Sequence, residues 1–174
     1  MRDIVLVGNG TALLDRKLGS LIDSYEEVIR FNEFVTNGFE EHSGTRITGW
    51  VRHAYVEGFR EAPINYVKVS PGRPLPKFAW KRPGDVYLPE FVNTYVETVL
   101  GVKTSRSMCW STGLYALAHF SLFRPVVHIV GFGDQQGNAR THYYPDKERH
   151  HLHNFELERK FIHFLKSMNR CVEL

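Results

Sequence analysis

The hardest constraint on this chain is a helix and strand in tandem that offer almost no polar side chain to water. Leu114-Tyr115-Ala116-Leu117-Ala118-His119-Phe120 follows Ser111-Thr112-Gly113 and is bounded by Pro125. Ser111 is a strong N-cap residue and proline cannot continue a helix, so the run predicts about three turns of buried helix. Val126-Val127-His128-Ile129-Val130 comes next, a β-branched run that reads as an interior strand. Ile4-Val5-Leu6-Val7 is a second strand of the same kind, apolar toward both faces. Strands covered on both sides belong to parallel sheets with helices packed above and below, so the class is α/β with a mostly parallel sheet.

The turns at the strand ends carry the functional information. Ile4–Val7 runs into Gly8-Asn9-Gly10, and Thr11 then stands as the cap of a helix with apolar Leu13, Leu14, Leu18, Leu21 and Ile22. A strand, a small-residue turn and a helix begin a Rossmann-like three-layer sandwich. The full dinucleotide pattern G-x-G-x-x-G is absent because Leu13 occupies the third glycine's place. The turn is either a ligand cradle or a tight structural turn. Val28-Ile29-Arg30-Phe31 forms the next strand and ends at Asn32, a residue suited to a ligand or simply to a turn. Val130 opens into Gly131-Phe132-Gly133. A helix start at Ser111 aimed at that glycine-rich end supplies free amides and a positive dipole end, a place for a phosphate. His142-Tyr143-Tyr144 and the cluster His150-His151-Leu152-His153 then add titratable groups, which points to a reaction at a phosphate ester.

Between these segments, residues 44–48 feed a third strand and Tyr66–Val69 reads as another. Pro71 to Pro89 is a proline-rich loop with Phe78, Trp80 and Tyr87, either a surface connection or a wall shaping a substrate. Phe91 to Leu100 predicts a short amphipathic helix. The 174 residues form one domain, 1–174, with neither repeat nor linker. A net charge of +3 suits an anionic small molecule and is too small to argue for nucleic acid. Cys109 and Cys171 sit in or beside core segments and form no disulfide framework. The apolar run at the N-terminus is too short for a signal peptide or membrane span, so the expectation is a cytoplasmic protein.

Several of these segments together resemble a known family. Val7-Gly8-Asn9-Gly10, Ile22-Asp23-Ser24, Val28 to Asn32, Gly38-Phe39-Glu40 and Gly44-Thr45-Arg46 are similar to the large sialylmotif of glycosyltransferase family 29, the sialyltransferases. Ser111-Thr112-Gly113 and Val127 to Gly133 resemble the small sialylmotif, and His142-Tyr143-Tyr144 the third. The last motif, His followed by Glu, falls within 151–158. The family's paired cysteines are missing, with Ile4 in the first place, and Pro145 follows the aromatic pair. With its short length, this suggests a compact bacterial or viral relative.

The resemblance implies a variant of the GT-A fold and an inverting, metal-independent transfer of sialic acid from CMP-sialic acid to a sugar hydroxyl of a glycan acceptor. Gly8, Asn9, Asn32, Ser111, Thr112, Gly113, Gly131 and Gly133 would bind the donor, and His142 would face its phosphate. His153 would take the acceptor's proton, with Glu158 orienting it. Helix geometry supports that choice: Glu158 is spaced with inward Phe155 and Ile162, whereas Glu156 lines up with Lys160, His163 and Ser167. His151 with Glu156 remains the second match. No cofactor and no metal are expected, since the histidines lack a cysteine or a helical His-x-x-x-His pair and the chain has no Asp-x-Asp. Rival functions are transfer of another CMP-activated keto-sugar acid such as Kdo, and a CMP-binding module without catalysis.

Overall fold

In the computed structural model, residues 3–56, 61–70, 83–105, 107–132, 142–144 and 153–174 are described. Seven strands form one sheet in the order β5-β4-β3-β2-β1-β6-β7. They are β1 (Ile4–Val7), β2 (Glu27–Phe31), β3 (Gly49–His53), β4 (Ile64–Lys68), β5 (Asp85–Tyr87), β6 (Val127–Val130) and β7 (Cys171–Glu173). Every pairing among them is parallel, with Leu6 opposite Ile29 on one side and Ile129 on the other. The chain steps outward from β1 to β5, then returns to lay β6 against the free side of β1. Strand order therefore reverses between β1 and β6, the place where an open parallel sheet leaves a crevice at its carboxyl edge.

Side chains alternate across a strand, so β1 feeds two cores. Ile4 and Leu6 pack with Ile29, Phe31 and Val51 beneath α3 (Phe91–Leu100), α4 (Thr112–Phe123) and α5 (Phe155–Ser167). Val5 and Val7 pack on the other face with Leu13, Ile22 and Val28, under α1 (Gly19–Asp23) and α2 (Glu40–Ser43). The result is the expected three-layer α/β sandwich. α4 is buried on nearly every side because it lies between the sheet and its helical neighbours. Phe161, Ile162 and Leu165 hold α5 to the same core, each side chain contributing about 1.5–3 kcal/mol by burial.

Three differences from the sequence reading have identifiable causes. The helix after β1 is broken into a 3-10 turn over Thr11–Asp15 and the separate α1, with Gly10 rather than Thr11 as the cap. Extended Arg16 makes the break, and Gly19 then sits so close to the Glu40 carbonyl of α2 that a Cβ would lie 2.0 Å from it. Within the proline-rich stretch, Asp85–Tyr87 pairs with β4 as an edge strand, and residues 71–82 lie outside the described residues. Its anchor is Asp85, which accepts a 2.9 Å bond from the buried Arg52 guanidinium of β3. The third difference is β7, too short for a periodicity, which pairs with β6 at the opposite edge. Cys109 and Cys171 are both buried free thiols. Among the described residues, no helix is long and apolar enough to cross a membrane.

Candidate active site

In a parallel sheet all strands end at one edge, and here that edge gathers the motif residues. β1 and β6 end in glycines because their backbones nearly touch. A Cβ on Gly8 would lie 2.2 Å from the Gly131 carbonyl, and Gly131 adopts φ 69°, which other residues resist. Gly8 N–H donates to Val130 O and Gly10 N–H to Gly131 O. Both glycines therefore have a structural reason to stand where they do, and their packing leaves Asn9 at the crevice.

Asn9 and Asn32 are oriented unambiguously by their partners. Asn9 Nδ2 donates to the Phe31 carbonyl at 3.1 Å and to the Tyr144 hydroxyl at 3.2 Å. Asn32, with φ 44°, accepts the His53 amide at Oδ1 (2.9 Å), and its carbonyl accepts from Trp50 Nε1 (2.8 Å). The amide atoms these bonds leave over are Oδ1 of Asn9, an acceptor, and Nδ2 of Asn32, a donor. Beyond them His53 is stacked on Tyr55 and bonds Ser70 Oγ at 2.9 Å.

The segment 142–144 is fastened across the ends of β1 and β2. Tyr143 N–H donates to Asn9 O (3.0 Å), the Tyr143 hydroxyl to Val35 O and the Tyr144 hydroxyl to Glu33 O. These buried tyrosines place His142, stacked on Tyr144 at 5.3 Å, beside Asn9.

The second half of the site is the start of α4. Ser111 caps it, with Oγ accepting from Leu114 N (3.1 Å) and its carbonyl accepting from Tyr115 N. Thr112 and Gly113 precede any intrahelical acceptor, so their amides point out of the helix end with the positive end of its dipole. Gly113 lies against the Phe132 ring, which meets Phe31 edge-on at 5.8 Å. That contact joins the helix start to the Asn9–Asn32 half.

His153 and Glu158 reach the same segment from α5, but by separate routes. Glu158 is buried as expected. Its carboxylate accepts from Ser111 N–H and Ser111 Oγ–H, both at 2.7 Å, rather than holding His153. The pairing expected from sequence is thus corrected. The amide at the helix cap has no intrahelical acceptor, and one turn into α5 the Glu158 carboxylate reaches it. Burial pushes this carboxyl up to about 7, against the lowering pull of the Ser111 bonds and Lys68. His153 instead has Nδ1 at 2.9 Å from the Cys109 carbonyl. A carbonyl only accepts, so Nδ1 carries the hydrogen and the neutral ring's lone pair is on Nε2, the form a general base requires. Gly133 and His151 lie outside the described residues.

Sequence reading missed Lys68 and His53. Lys68, buried at the end of β4, donates to the Trp110 carbonyl, and its ammonium lies 5.6 Å from the Tyr115 ring centre. The sequence reading placed it within a strand without a role, and α4, brought back over the sheet, sets Trp110 and Tyr115 against it. Among the described residues, no group of three or more His, Cys, Asp or Glu is arranged to hold a metal ion.

A parallel α/β sheet whose strand order reverses beside a capped helix start defines a Rossmann-like α/β architecture. The sequence model of glycosyltransferase family 29 (sialyltransferase) matches residues 1–79 and 77–170, and the chain belongs to that family. It is 25% identical over 204 residues to the rat and human CMP-N-acetylneuraminate-beta-1,4-galactoside alpha-2,3-sialyltransferases, covering 92% of this chain and 54% of each relative. Mouse type 2 lactosamine alpha-2,3-sialyltransferase is 33% identical over 108 residues, 62% of this chain and 29% of that protein. The chain thus spans about half the length of the first of these relatives. The crystal structure of a mammalian sialyltransferase in complex with Gal-beta-1-3GalNAc-ortho-nitrophenol superposes with a TM-score of 0.75 at 24% identity, over 99% of this chain and 69% of that one. The likeness fixes the fold.

Proposed function

We propose that this chain transfers sialic acid from CMP-sialic acid to a sugar hydroxyl of a glycan acceptor, in one displacement that inverts the anomeric centre and uses no metal. The observation that carries this reading is the His153 geometry, a ring fixed through Nδ1 to the residue two before the α4 cap, with its basic nitrogen at Nε2. The Thr112 and Gly113 amides hold the phosphate of the departing cytidine monophosphate, whose negative charge grows as the glycosidic bond breaks. Asn9 Oδ1 accepts from a hydroxyl or amino group of the nucleoside, and Asn32 Nδ2 donates to it. His142 adds a hydrogen bond to the phosphate. His153 Nε2 takes the proton from the acceptor hydroxyl as that oxygen attacks the anomeric carbon from the face opposite CMP. Cytoplasmic operation remains part of the proposal.

The test is CMP release with CMP-sialic acid and CMP-Kdo in parallel, each with and without a β-galactoside. Release dependent on both CMP-sialic acid and the galactoside, undiminished by EDTA, supports the reading. Preference for CMP-Kdo reassigns the donor, loss of rate on chelation reinstates a metal, and CMP binding without turnover leaves a binding module.

A further inference from the structure

Lys68 and Glu158 come from different layers yet meet the two ends of one peptide unit. The Trp110 carbonyl accepts from the Lys68 ammonium, and the Ser111 amide on the other side of that peptide bond donates to Glu158 Oε1 at 2.7 Å. Both side chains are buried, and Trp110 itself is almost wholly enclosed. A peptide dipole with a cation at its oxygen and a carboxylate at its nitrogen is held in one orientation, because rotation about its axis breaks both charged hydrogen bonds. The next two amides along the chain are those of Thr112 and Gly113.

We propose that Lys68 is a positioning residue for the ligand end of α4: with Glu158 it clamps the Trp110–Ser111 peptide and so aims the Thr112 and Gly113 amides at the donor phosphate. This rests on the nucleotide reading of the site. The groups facing Glu158 are Lys68 from β4 and the amide and hydroxyl of Ser111, while Glu156, Arg159 and Lys160 of α5 are exposed. Losing the Lys68 charge makes the Glu158 carboxylate harder to keep ionised, which weakens its hold on the Ser111 amide near neutral pH. The clamp thereby joins a buried lysine of β4 to donor affinity.

The experiment is a cycle of Lys68→Met, Glu158→Gln and the double variant. CMP affinity is read by calorimetry from pH 6 to 9, and the Ser111 amide by its nitrogen chemical shift. In Lys68→Met the expected result is about tenfold weaker CMP binding at neutral pH, in the range of couplings between linked sites, recovering as pH rises. The Ser111 titration moves upward in parallel. In the Glu158→Gln background the same lysine change adds nothing further. Additive losses, or a Ser111 midpoint unmoved by Lys68→Met, overturn the clamp. Should Lys68→Met fail to fold, Lys68→Gln, which keeps a donor for the Trp110 carbonyl but not the charge, is read in its place, and a Ser111 midpoint unmoved in that variant overturns the proposal. Absence of CMP binding by wild type sinks the donor reading alone, and the clamp then stands or falls on the Ser111 shift.

Discussion

Glu97 on α3 and Glu158 on α5 are bonded almost identically and behave as opposites. Each is buried, 7% and 6% exposed, and each accepts an amide and a hydroxyl from a single residue. For Glu97 these come from Thr104 at 2.6 Å, and for Glu158 from Ser111 at 2.7 Å. Burial alone would raise Glu97, but the Thr104 bonds, Lys103 and Asn93 together hold it down to about 2. Burial lifts Glu158 to about 7. The helix dipole cannot explain this, because Glu158 lies in the first turn of α5, where an anion is favoured by about 0.3–1 kcal/mol. Depth outweighs it. Exposed Lys103 bonds Glu97 directly at 3.2 Å, whereas the charge of Lys68 lowers Glu158 from a distance and the Lys68 ammonium bonds the far end of the peptide that Glu158 holds. One carboxylate serves a structural corner at the α3 terminus, and the other holds open the helix end that faces the proposed ligand.

If that division is right, function fails at the Glu158 end and stability at the Glu97 end. The largest effect belongs to His153, anchored one residue ahead of the Lys68-held carbonyl. His153→Ala is expected to lower transfer by roughly 10²–10⁴-fold while CMP affinity, measured by calorimetry, is retained. Full activity in that variant removes His153 as the base. At the other end, Thr104→Val leaves the Glu97 carboxylate short of a hydroxyl donor. It should cost about 1–3 kcal/mol in urea unfolding with turnover per folded molecule unchanged.

A subtler test is the pH dependence of stability. A lowered carboxyl binds fewer protons folded than unfolded, so the Glu97 contribution is complete above the ordinary 4.5 and lost as pH falls toward 2. A raised carboxyl does the reverse: between 4.5 and about 7 the folded chain keeps a proton that the unfolded chain releases, and stability falls as pH rises. Glu158→Gln should flatten the profile in that window, and Glu97→Gln should flatten it below 4.5. Denaturation midpoints followed by circular dichroism at pH 3 to 8 will show whether the two slopes have opposite signs.

The frame of this molecule was legible in the chain because it is written in local pattern. Uninterrupted apolar strands, Ser111 ahead of an apolar run and the glycines at strand ends each act over a few residues, and each stands where expected. The inward turn of Glu158 was legible for the same reason, as helix spacing. Its partner was not. Which residue meets a buried carboxylate depends on how two helices 47 positions apart are docked, and the amide of Ser111 carries no side-chain signal. Likewise, β5 hid in a proline-rich stretch because its stabilising pair, Arg52 with Asp85, spans 33 positions. Lys68 was invisible until α4 covered it.

The smallest expected effect is the most useful control on the register of the last motif. Glu156 sits two residues before Glu158, and in a helix that spacing carries a side chain to the far side. It is exposed and pairs with Lys160 at 3.1 Å in the i,i+4 relation. Such a pair contributes about 0.3–0.5 kcal/mol, because water screens both partners and both give up side-chain freedom. Glu156→Ala should therefore shift the unfolding free energy by no more than about 0.5 kcal/mol and leave CMP affinity and turnover at wild-type values. A large loss of turnover would move the motif to His151 with Glu156. The carboxylate that matters would then be the solvated one, and the contrast with Glu97 would lose its functional member.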